Sequence, residues 1–107
     1  MKLIIAIINK DDAAIVSSQL TKNGIFATKM ASTGGFLRSG NTTFLIGIDA
    51  AKVDKVIKLI GDCSKKRTEI LPEAAGYAAA AMGGMPVEVT VGGATVFVVD
   101  VERFEKL

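Results

Sequence analysis

The stretch of this 107-residue chain that carries the most chemistry is Thr33-Gly34-Gly35-Phe36-Leu37-Arg38-Ser39-Gly40-Asn41-Thr42-Thr43. Its glycines let a backbone come close to an anion, and successive N–H groups can form a nest around it. The Ser and Thr hydroxyls add donors, Arg38 adds charge, and Phe36 offers a face on which a base can stack. The spacing matches neither a Walker A loop nor a dinucleotide fingerprint, and a hairpin loop without a ligand explains the same residues equally well. Gly47, inside an expected strand, is a second point where a ligand or another backbone can approach; a bulge explains it as plainly.

Catalysis finds little to work with. The chain has no histidine, so the commonest general base and metal ligand is missing and no Ser-His or Cys-His nucleophile can be assembled. Asp11 and Asp12 read as helix-start residues and Asp49 as a cap. The lone Cys63, without histidine, gives no metal-ligand spacing. A carboxylate pair distant in sequence is the remaining route to acid–base chemistry. The expectation is a binding protein and not an enzyme, with no metal and no cofactor other than its ligand.

Thirteen basic residues against eleven acidic give a net charge of +2, too weak a bias for the phosphate-neutralising surface that nucleic-acid binding draws on. The apolar run 3–8 after Lys2 imitates a signal peptide, but Asn9-Lys10-Asp11-Asp12 cut it short. No stretch approaches the roughly 20 apolar residues that span a bilayer. With one cysteine and no internal disulfide, the cytoplasm is the expected location.

A single domain over residues 1–107 must position these groups. Residues 3–8 are continuously apolar and β-branched, as in a central strand covered on both faces. From about Asp12, Ile15, Val16 and Leu20 recur at helical spacing until Gly24 stops the helix. Residues 25–32 and 42–48 read as strands. Asp49 opens a second helix with Val53, Val56, Ile57 and Ile60 on its apolar stripe and Lys52, Asp54, Lys55 and Lys58 on the wet side. Residues 67–71 read as a fourth strand. The repeated order is the split βαβ of an α+β, ferredoxin-like domain, whose helices cover one sheet face and leave the other for a partner. Two additions are expected: a β-hairpin of 87–91 and 94–99 around Gly92-Gly93, and a long mobile loop over 72–85, Ala/Gly-rich and uncharged after Glu73.

Met1-Lys2-Leu3-Ile4-Ile5-Ala6-Ile7, Ala27-Thr28-Lys29, the run 33–38 with Gly40-Asn41-Thr42-Thr43-Phe44, and Val91-Gly92-Gly93-Ala94-Thr95-Val96-Phe97 together resemble the PII-like cyclic di-AMP receptor proteins of Gram-positive bacteria. The resemblance covers nearly the whole chain. It implies a homotrimer of ferredoxin-like subunits that binds cyclic di-AMP between neighbours and signals to a downstream protein through loop rearrangement, without catalysis. By that resemblance Ala27 and Thr28 meet an adenine edge, Phe36 and Leu37 pack on a base, Asn41 and Gly47 line the pocket, and Gly35 and Arg38 belong to the surrounding loop. Residues 72–85 fall at the larger loop, the readout element.

The family pattern places an asparagine and an arginine just before Ala-Thr, where this chain has Gly24 and Phe26. Phe26 is expected chiefly in core packing, with stacking on the ligand as its alternative role and Lys22, Lys29 or Arg38 as substitute charges. The change leaves a sensor of ATP or ADP as an alternative reading. A small ferredoxin-like enzyme and an RNA-binding module are weaker ones, the first lacking an acid or base and the second an aromatic platform on strands one and three.

Overall fold

The computed structural model describes residues 1–32, 40–65, 67–70 and 88–107. In chain order these form β1 (Lys2–Asn9), α1 (Ala13–Lys22), β2 (Thr28–Ser32), β3 (Asn41–Ile48), a 3-10 turn (Ala50–Lys52), α2 (Val53–Cys63), β4 (Arg67–Ile70), β5 (Glu88–Val91) and β6 (Ala94–Asp100). Four strands build one sheet in the order β2-β3-β1-β6, every neighbour antiparallel. With two helices this is a small α+β domain, compatible with a ferredoxin-like fold.

Two expectations about the C-terminal half need correction. The strand that completes the sheet beside β1 is β6, not residues 67–71; β4 pairs instead with β5 in a separate two-stranded ladder. The runs either side of Gly92-Gly93 are both strands, but they do not pair with each other as a hairpin. Gly92 and Gly93 have φ of 86° and 80°, and the Gly93 N–H donates to the Ser64 carbonyl at the end of α2. The glycines therefore hand the chain from one ladder to the other at a point tied to α2. The loop expected over 72–85 lies outside the described residues.

Alternation along β1 and β3 sorts the core. Ile4, Ala6 and Ile8 share a face with Phe44 and Ile46, and all five are buried with Ala13, Val16 and Leu20 of α1 and Val56 and Ile60 of α2. Ile15, expected on the buried stripe of α1, is 55% exposed, because the helix is phased on Ala13, Val16 and Leu20. The opposite sheet face carries Leu3, Ile5, Ile7 and Leu45, half-buried, with Phe97 and Val99 exposed. So the unbroken apolar pattern of β1 has full cover among the described residues on one face only.

The stop of α1 sets the phase of the residues after it. The Ile25 N–H reaches the Leu20 carbonyl at 2.9 Å and the Gly24 N–H reaches the Thr21 carbonyl at 3.0 Å, with Gly24 at φ 70°. This is a Schellman stop, in which glycine takes the left-handed position and the next residue packs back on the helix. Leu20 and Ile25 are accordingly both buried. With Ile25 turned inward, Phe26 is thrown outward and is 91% exposed. The expected core packing of Phe26 is thus corrected.

Candidate ligand-binding site

Gly35, Phe36, Leu37 and Arg38 lie outside the described residues. The other candidates lie on or beside the edge strand β2 and its neighbour β3. Thr28 opposes Leu45 in the ladder and Asn41 opposes Asn9. Because cross-strand partners share a face and side chains alternate, Thr28, Asn41 and Gly47 all belong to the face that the helices leave uncovered. Ala27 is exposed immediately before β2.

Along β3, Asn41 and Gly47 stand six residues apart, about 20 Å at strand rise. The two ends differ in character. At the Asn41 end, the Lys10 N–H donates to the Gly40 carbonyl, and Asn9 and Asn41 are both buried. Asn9 Oδ1 accepts from the Asp11 N–H at 2.8 Å. Asn41 Oδ1 is buried without a hydrogen-bond partner among the described residues. An unsatisfied buried acceptor costs about 1–3 kcal/mol and needs a reason.

At the Gly47 end, the α1–β2 connection and the β3–α2 connection meet around a cleft of about 250 Å³. Asn23, Gly24 and Phe26 line it from one side and Gly47, Lys52 and Lys55 from the other. The register through Gly47 is unbroken, opposite Leu3, so the bulge explanation falls away. A side chain added at Gly47 would meet only Met1 Sδ, at 3.9 Å. The space above this glycine is open to a ligand. Sequence reasoning placed Lys52 and Lys55 on the wet side of α2, which they are, and missed that they border this cleft. Their spacing of three on a helix start just after Gly47 is the signal that was available.

Among the described residues no cluster of metal-ligating side chains occurs, and no helix is long and apolar enough to cross a membrane. A hydrogen bond from Lys2, its cross-strand neighbour, and the charge of that ammonium hold the Asp100 carboxyl below the usual carboxylate range. This exposed ion pair links β1 to β6 and lies outside the cleft lining.

A sequence model described as cyclic-di-AMP receptor matches residues 1–107, the whole chain. The chain belongs to the cyclic-di-AMP receptor family. A crystal structure of a functionally unknown protein from Pediococcus pentosaceus ATCC 25745 is similar at 42% identity and a TM-score of 0.77. The similarity covers 99% of this chain and 96% of that one. Membership of the cyclic-di-AMP receptor family supports cyclic di-AMP binding and signalling as the role of this chain.

Proposed function

We propose that this chain is a cytoplasmic, non-enzymatic signal-transduction protein of PII-like type that binds cyclic di-AMP at the interfaces of a homotrimer and relays binding to a protein partner. The observation that carries the reading is the buried Asn41 Oδ1, without a partner among the described residues, in a chain of the receptor family. An adenine amino group is a donor suited to that acceptor. Gly47, with open space above it, and Thr28 serve the other end of the same sheet edge. A mononucleotide docked at one end leaves the other idle, whereas a ligand with two bases has a group for each. Phe36, Leu37, Gly35 and Arg38 complete the pocket on the strength of the sequence alone.

Self-association rests on β1. Leu3, Ile5 and Ile7 form an apolar row with Leu45 and Val99 on the face away from the helices, and a second and third copy supply its cover. Residues 72–85, nearly devoid of charge, are assigned to the relay. The second reading, a sensor of ATP or ADP, is favoured by Gly24 and Phe26, which depart from the family pattern at the pocket.

Light scattering with competition dialysis tests the proposal. The expected result is a trimeric mass, reduced to a monomer by Leu45→Glu, and retention of cyclic di-AMP against excess ATP, ADP and cyclic di-GMP. Displacement by ATP or ADP selects the second reading, and a wild-type monomer removes the interface.

A further inference from the structure

The cleft at the Gly47 end holds two features that the fold does not need. Phe26 is 91% exposed, a large aromatic with no place in the core. Lys52 and Lys55 are exposed, and among the described residues neither is ion-paired, whereas Lys58 on the same helix reaches Asp62 at 3.7 Å. Asp49 and Asp54 occupy the same turn, but neither lines the cleft. Lys52 closes the 3-10 turn and Lys55 stands three residues later, and both residues line the cleft beside Gly47.

We propose that Lys52 and Lys55 are phosphate contacts and Phe26 a base-stacking platform of one nucleotide-binding cleft, whose floor is Gly47. The chemistry is that of an adenine nucleotide: a flat base to lie on an aromatic face and an anionic phosphate to attract cations. Phe26 and the two lysines line opposite walls of the cleft, so base and phosphate are engaged from opposite sides. The proposal deepens the receptor reading and rests on it for the identity of the ligand. It assigns the cationic part of the site to the start of α2. Both lysines are long and solvated, so their attraction is screened by salt, while stacking is not.

The test is calorimetric titration of the full chain with cyclic di-AMP and, separately, with ATP, at low and high salt, for wild type, Lys52→Gln/Lys55→Gln and Phe26→Ala. All three side chains are exposed, and thermal melts verify that the variants fold. The lysine variant is expected to lose about tenfold in affinity at low salt and to flatten the salt dependence. Phe26→Ala is expected to lose about tenfold while keeping the wild-type salt dependence. Wild-type affinity and salt slope in the lysine variant, with cyclic di-AMP binding intact, overturn the proposal and leave the receptor reading standing. Binding of ATP alone, lost in the lysine variant, upholds the cleft and overturns the cyclic di-AMP reading. Binding of neither nucleotide by the wild type overturns both.

Discussion

Replacing Asn41 by alanine separates a ligand contact from a structural one. In the free protein Asn41 Oδ1 is buried without a partner among the described residues, and a buried acceptor left in that state costs about 1–3 kcal/mol. Truncation to alanine removes that burden along with the small packing contribution of the side chain, and the two act in opposite directions. The ligand-free melting temperature should stay within about 4 °C of wild type, the shift that about 1 kcal/mol produces in a domain of this size. Binding has no such compensation. A hydrogen bond to the nucleotide contributes about 0.5–1.5 kcal/mol net, so cyclic di-AMP should bind about two- to tenfold more weakly. Differential scanning fluorimetry gives the first quantity and titration calorimetry the second. A melting point lower by about 10 °C with unchanged affinity would make Asn41 a structural residue and refute the reasoning.

Gly47→Val should leave the fold intact, since the nearest atom to an added Cβ is Met1 Sδ at 3.9 Å, yet weaken nucleotide binding by filling the cleft floor; equal affinity in calorimetry would show that the ligand lies elsewhere. Gly24→Ala meets no atom within 4 Å but must hold φ near 70°, so its cost is backbone strain alone, about 1–2 kcal/mol and several degrees in a melt. Gly24→Asn should recover part of this, asparagine being the residue best suited after glycine to that conformation. Phe44→Ala, at the centre of the core, should lose about 3–5 kcal/mol in denaturant unfolding. The Asp100 carboxyl is held low in the fold by Lys2, so its contribution is present above the ordinary carboxylate value and is lost as pH falls through the depressed folded value. Asp100→Asn should therefore differ from wild type near neutrality, slightly because the site is exposed, and the gap should close in strong acid; a gap that widens there contradicts the ion pair.

What could be read from the sequence was the locally encoded part. The β-branched run of β1, the two amphipathic helices and the Gly24 stop are dictated by nearest neighbours, and each appears within a few residues of its expected place. Phe26 was misjudged because hydrophobicity says which residues prefer the interior but not the phase in which the chain leaves a helix. That phase is set by the turn that drives Ile25 inward. The hairpin failed for a different reason. Residues 88–91 and 94–100 have strand character, but pairing is a choice among partners, and β4 and β1 compete successfully with the local one. The cleft was hidden for the same non-local reason, since Asn23 to Phe26 and Gly47 to Lys55 come together only once α1 and α2 have packed on the sheet.

Titration calorimetry of the wild-type chain with cyclic di-AMP, beside cyclic di-GMP, ATP and ADP, tests the central claim most directly. Tight binding of cyclic di-AMP is predicted at about one ligand per subunit, as expected for clefts shared between neighbours, with little or no heat from the others. Absence of heat with cyclic di-AMP, or tighter binding of ATP or ADP, would contradict it.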